Sequence, residues 1–234
     1  MPLAAARGLL PAMRPLLALL LLAACGRPLT PSEAAFLAEI HGPALSTASV
    51  RLADGLAPQV PRVVPTPPRV TCQSRLYPPR PPTVRVTTGA LTAFDAVFFR
   101  GDLYRDDLLA EWPAVLPLEN AMLLAHEMVH VWQWQHRDLT GYHPLKAAFE
   151  HVRAPDPYLF EVSGRDYLDY GYEQQGAIME EYLCCRTLAP EAALTERLHA
   201  MLAAYFPLRP LDAPLSEAAR LPWAGVEVEG ICDG

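Results

Sequence analysis

Residues 118–135 read LENAMLLAHEMVHVWQWQ, with no glycine or proline, and inside this stretch His126-Glu127-Met128-Val129-His130 sets two imidazoles four positions apart. Apolar residues at Met122, Leu123, Ala125, Val129 and Trp132 suit a largely buried helix. On a helix, residues four apart lie one above the other on a single face, so His126 and His130 can converge on one ion. Glu127 then sits beside that ion, where a carboxylate can take a proton from a water whose pKa a zinc ion has lowered to about 7. Buried polar groups cost roughly 2–7 kcal/mol each when left unpaired, so all three side chains need partners. A Zn²⁺ ion satisfies all three. The competing reading is a pair of hydrogen-bonded core histidines.

A catalytic zinc site needs three protein ligands and an open position. His136 falls six residues after His130, so HEMVHVWQWQH has the spacing of the pattern H-E-x-x-H-x-x-G-x-x-H. The glycine that turns the chain in that pattern is replaced here by Gln133. If the helix continues, six residues rotate His136 about 240° away from His130, out of reach of the ion. The other source is residues 171–185, GYEQQGAIMEEYLCC, which read as a second helix beginning after a turn at Gly171. Glu173, Ala177 and Glu180 share one face of it, and the small residues Gly176 and Ala177 permit close approach to the first helix. Glu173 and Glu180 are about 10 Å apart along a helix, so only one can ligate the ion.

Glu-Gln-Gln-Gly, residues 173–176, resembles the E-x-x-A pattern that supplies the third ligand in glutamate-type zincins, with Gly176 in place of alanine. The likeness extends further. Residues 29–52 resemble the opening helix and first strand, residues 84–99 the next strands, and residues 125–135 and 172–182 the two metal helices of gluzincin-like metallopeptidase domains found around Vgr-related and contractile-injection-system proteins. The resemblance implies an α+β, zincin-like fold in which a small β-sheet packs on the H-E-x-x-H helix and a second metal-ligand helix. It also implies Zn²⁺ held by His126, His130 and Glu173, Glu127 as catalytic base, and a peptide or protein substrate. The plainer reading of Glu173 is an N-terminal carboxylate favoured by its helix dipole.

Arg7 and Arg14 precede an apolar run, residues 16–24, that ends in Leu22-Ala23-Ala24-Cys25. A charged start, a short apolar stretch and small residues before a cleavage point describe a secretory signal; a spanning helix needs about 20 apolar residues. The segment resembles bacterial lipoprotein signals, which implies lipid on Cys25, attachment to a membrane in the cell envelope and, because Gly26 is not aspartate, outer-membrane retention facing the periplasm. The expected division is therefore a signal peptide over residues 1–24 and one domain over residues 25–234. Beyond Cys25, the cysteines Cys72, Cys184, Cys185 and Cys232 are even in number, which suits two disulfides in an oxidising compartment. Adjacent cysteines rarely bridge each other, so Cys72 and Cys232 are expected to take one each of Cys184 and Cys185. The net charge of −7 and the lack of a basic run outside the signal argue against a nucleic-acid partner.

Residues 58–82 are proline-rich and favour extended geometry, with Cys72 pinning them to the body as a loop. Residues 83–88 and 96–99 read as two strands around a turn near Gly89. In zincins an edge strand before the metal helix holds extended substrate, and Val97-Phe98-Phe99 is a candidate by strand addition, with an interior strand as the alternative. Residues 137–169 form an insertion expected to roof the site, with a short helix near residues 145–152. Tyr142, His143, His151, Tyr158, Tyr167, Tyr170 and Tyr172 are possible donors to an oxyanion in or beside it. A further amphipathic helix is expected over residues 190–205. The sequence thus points to a lipid-anchored zinc metallopeptidase of the envelope, against a non-catalytic envelope lipoprotein that uses the same fold for binding or assembly.

Overall fold

The computed structural model describes residues 26–154 and 156–233, so the expected signal segment and Cys25 lie outside the described residues. Helix α1 (Pro31–Ile40) starts at a capping box, with Thr30 as N-cap, Pro31 at the first position and Glu33 closing the box. The Glu33 carboxylate also accepts two 2.7 Å bonds from Arg27 and one from the backbone N–H of Leu108, so one buried acid fastens three segments. The buried face of α1, Phe36, Leu37 and Ile40, enters the core.

A three-stranded sheet follows, in the order β1 (Arg51–Asp54), β5 (Ala96–Phe99), β4 (Ala90–Ala93), with β1 parallel and β4 antiparallel to β5. The central strand β5 is the most buried of the three, with Ala96, Val97 and Phe99 in the core. Strands β4 and β5 are joined through Phe94 and Asp95, and Phe94 takes a left-handed conformation with φ 61°. Between β1 and β4, β2 (Arg62–Pro65) and β3 (Thr83–Val86) form a separate antiparallel ribbon flanking a short helix, α2 (Cys72–Arg75).

One sequence expectation is corrected here, and one alternative left open is decided. Residues 83–86 pair with β2, and residues 96–99 pair with β4, so the expected hairpin around Gly89 does not form. Val64 faces Val84 across the ribbon, and such β-branched pairs stabilise a two-stranded ladder even in a proline-rich stretch, where prolines are tolerated on edge strands. Val97-Phe98-Phe99 lies on the interior strand, and the edge strand, whose Thr92 reaches Glu127, is β4.

Strand β6 (Val115–Pro117) leads directly into α3 (Leu118–Gln135), and pairs in parallel with β7 (Ala218–Arg220) from the tail. From Leu124 to Gln133 every residue of α3 is buried, so the helix is enclosed on all sides. Its main partner is α6 (Tyr172–Leu188), which is itself buried from Gln175 through Met179 and from Glu181 to Arg186. The connection between them holds α4 (Arg137–Thr140) and α5 (Pro144–Arg153). Helix α7 (Ala193–Leu202), shorter than expected at both ends, packs on α6 through Leu198 and Leu202.

Disulfides Cys72–Cys184 and Cys185–Cys232 join the proline-rich stretch and the C-terminal tail to adjacent positions of α6. The molecule is a mixed α+β fold with small sheets, in which α3 and α6 form the buried axis. Among the described residues, no helix is long and apolar enough to cross a membrane.

Candidate metal centre

His126 and His130 lie on the face of α3 turned toward the first two turns of α6. The Nε2 atoms of His126 and His130 are 3.3 and 3.4 Å from the same oxygen, Oε2 of Glu173, and the three donor side chains are all buried. Charge-assisted N–H···O bonds are about 2.7–2.9 Å long, so both separations are long for direct hydrogen bonds. A tetrahedral ion with ligands at about 2.0–2.1 Å spaces its donor atoms about 3.3–3.4 Å apart. The observed spacing fits a bound ion better than a hydrogen-bonded cluster.

The close approach of the two helices depends on Gly176. A Cβ there would lie 2.6 Å from Cε1 and Nε2 of His126, so the imidazole occupies the space that a side chain would take. Any side chain at this position would collide with that ring.

The far side of each imidazole is also engaged. Gln133 donates through Nε2 to the Tyr172 carbonyl and to Oε1 of Gln175, so its own oxygen is left to accept from Nδ1 of His130 at 2.8 Å. Gln175 in turn donates to the Tyr170 carbonyl. With Nδ1 protonated, the Nε2 lone pair of His130 points at the site, an arrangement that commonly orients metal-binding histidines. Glu180 plays the corresponding part for His126. Its carboxylate lies 2.8 Å from Nδ1, out of line for a well-formed hydrogen bond, so the pairing is one of charge. Glu180 therefore lies behind His126, while Glu173 lies between the two imidazoles.

Glu127 is buried, and its Oε2 accepts a 2.7 Å hydrogen bond from the hydroxyl of Thr92 on edge strand β4. Burial raises its pKa, against the opposing pull of His126, His130 and the Thr92 hydroxyl. Burial acts in the same direction on Glu173, but His130, His126 and His151 outweigh it and hold that carboxyl well below its ordinary value. For His126 burial favours the neutral ring, and the carboxylates of Glu180 and Glu173 overcome it, raising its pKa well above the usual range. Three carboxylates around two imidazoles leave a surplus of negative charge whenever the rings are neutral. A divalent cation would offset two of those three charges.

The insertion closes over this cluster through adjacent residues of α5. Glu150 accepts from the backbone N–H groups of Tyr172 and Glu173, capping the start of α6, and His151 Nε2 lies 3.1 Å from Oε1 of Glu173. Of the seven candidate oxyanion donors, four are committed elsewhere. Tyr167, Tyr170 and Tyr172 donate to the carbonyls of Gln175, Glu161 and Gly141, and His143 caps α5. Tyr142, His151 and Tyr158 remain at the site. The Tyr142 ring stacks on His130, and the Tyr158 ring lies 5.8 Å from that of His126. Burial, then Glu173 and Glu127, push both phenols up, so both hydroxyls stay protonated.

His136 is the C-cap of α3, with Nδ1 3.0 Å from the Trp132 carbonyl, and takes no part in the cluster. Sequence reasoning assembled His126, Glu127, His130 and Glu173 but missed Thr92 and the paired glutamines Gln133 and Gln175. Gln133 sat in view as the residue displacing a glycine; its spacing of three from His130 on one helix was the available signal. Thr92 carried none.

No protein-family model matches the chain, and no curated protein matches it. Among solved structures, the chain is similar to the effector domain of Pseudomonas aeruginosa VgrG2b, at 24% identity over 77% of this chain and 84% of that one, with a TM-score of 0.48.

Proposed function

We propose that this chain is a zinc-dependent metallopeptidase with a zincin-like arrangement, in which His126, His130 and Glu173 hold Zn²⁺ and Glu127 is the general base. The observation that carries the reading is the common oxygen of Glu173, 3.3 and 3.4 Å from the two histidine nitrogens. Two imidazoles and a carboxylate at tetrahedral spacing are a donor set that suits zinc.

When bound, zinc lowers the pKa of a water to about 7 and polarises a carbonyl oxygen. Glu127 would accept a proton from the attacking water at its carboxylate and later deliver it to the leaving amine. Burial raises its proton affinity toward that of a neutral-pH base, and the Thr92 hydroxyl fixes its orientation. Tyr158, kept protonated, donates to the carbonyl oxygen as it gains negative charge. The β4 edge, whose Thr92 already touches Glu127, offers its free side to an extended peptide.

We further place the single domain at residues 25–234, behind a signal peptide of residues 1–24, with lipid on Cys25 holding it in the outer membrane facing the periplasm. Fatty-acid-analogue labelling that disappears in Cys25→Ser tests the anchor. For the activity, an unbiased peptide library should be cut by the native chain and left intact by Glu127→Gln at equal metal content. Equal cleavage by the two proteins contradicts the role of Glu127. Retained zinc without cleavage by the native chain supports a non-catalytic envelope lipoprotein instead.

A further inference from the structure

Between Asp54 and Asp95 the chain has five arginines and no acidic residue, although its net charge is −7. This acid-free stretch contains the β2–β3 ribbon. Two of the five are held by backbone carbonyls, Arg75 by those of Gly230 and Ile231 and Arg69 by those of Ser74, Arg75 and Tyr77. Arg62, Arg69, Arg80 and Arg85 are exposed, and none of these four forms an ion pair with a carboxylate among the described residues.

The register of the ribbon decides which side faces out. Val63 lies opposite Arg85 and Pro65 opposite Thr83, and all four are exposed, whereas Val64, Val84 and Val86 on the other face are half-buried. The outer face therefore sets Arg85 beside Val63, whereas Arg62, opposite Val86, belongs to the other face of the ribbon though it too is exposed. Val60, Val63 and Val70 are 89, 63 and 58% exposed.

We propose that this ribbon docks on the surface of an anionic phospholipid bilayer, independently of the metal site and of any lipid on the chain. Free phosphate or a nucleic-acid backbone would satisfy the arginines alone and leave the three valines in water. A bilayer interface takes both, since guanidinium groups reach the headgroup phosphates while apolar side chains enter the acyl boundary. The prolines in this stretch restrict the unbound backbone, which lowers the ordering cost of contact.

The test is flotation of the full-length chain with vesicles of phosphatidylcholine alone and of phosphatidylcholine with one-quarter phosphatidylglycerol. The ratio of the two partition coefficients cancels the contribution of the N-terminal apolar run, which meets both membranes. Each basic side chain near an anionic surface is worth about fivefold, so Arg85→Gln should lower the ratio about fivefold. Arg105→Gln, an exposed arginine elsewhere, should leave it within about twofold. Val60→Gln/Val63→Gln should weaken binding to the anionic vesicles, and high salt should abolish the anionic preference. Equal partition of the native chain, or an Arg85→Gln ratio equal to the native one, overturns the proposal. Unchanged binding in the valine variant also overturns it, as does selective binding of duplex DNA with no preference among vesicles.

Discussion

The hydroxyl of Thr92 donates to Oε2 of Glu127 across 2.7 Å, joining the edge of the three-stranded sheet to the acid that follows His126. Thr92→Val keeps the shape and removes the donor. A hydrogen bond to a charged group is worth about 1.5–3 kcal/mol, so turnover should fall about 10- to 100-fold with metal content unchanged. The bond also lowers the Glu127 pKa, so its loss should move the acidic limb of the kcat/KM profile to higher pH. A profile that does not move would remove Thr92 from the mechanism.

Gly176→Ala tests the contact between the two helices. Alanine favours a helix interior by about 1 kcal/mol, and overpacking costs about 1–3 kcal/mol, so the net effect on unfolding should be small. Metal affinity should suffer more, because the new methyl occupies the place of the His126 ring. A loss of about 10- to 100-fold is expected, the range seen when groups that orient a ligand are disturbed. Competition with a chelator measures it.

Tyr158→Phe should lower kcat by about 10²- to 10³-fold with KM little changed, as for the loss of one oxyanion donor. Tyr142→Phe should change kcat far less, because Tyr142 serves mainly as a ring stacked on His130. Kinetics of both variants on one cleaved peptide separate the roles, and the opposite ranking would transfer the oxyanion to Tyr142.

His41 governs acid stability at a distance from the site. It is fully buried, with neither ring nitrogen hydrogen-bonded among the described residues, and burial lowers its pKa to about 3. The unfolded chain binds the proton near pH 6.5 and the folded chain does not until about pH 3. Stability is therefore fully present above pH 6.5 and is lost as pH falls, by up to roughly 5 kcal/mol from this group alone. His41→Leu should flatten that loss between pH 6 and 4 in denaturant titrations. An acid slope equal to the native one would show that the ring is charged or solvated in the folded state.

The legible parts of the molecule were those whose signal is local. His126, Glu127 and His130 announce themselves through helical spacing within five residues, and Glu173 through its place at the head of a second helix with small residues following. Strand pairing was misread. Residues 83–86 and 96–99 have strand composition, but composition does not choose a partner, and the β4–β5 turn is made by Phe94 at φ 61° where no glycine marks it. Thr92 was invisible because its partner is 35 positions away on another element, and nothing in either local pattern refers to the other. Gln133 was seen only as a missing glycine, although its amide orients His130.

Metal content of the chain purified without added metal, set beside Glu173→Gln and Glu180→Gln, tests the central claim most directly. About one zinc per native chain is expected, with its loss in Glu173→Gln and its retention, at weakened affinity, in Glu180→Gln. A native chain without metal would contradict the account, as would zinc retained by Glu173→Gln and lost by Glu180→Gln.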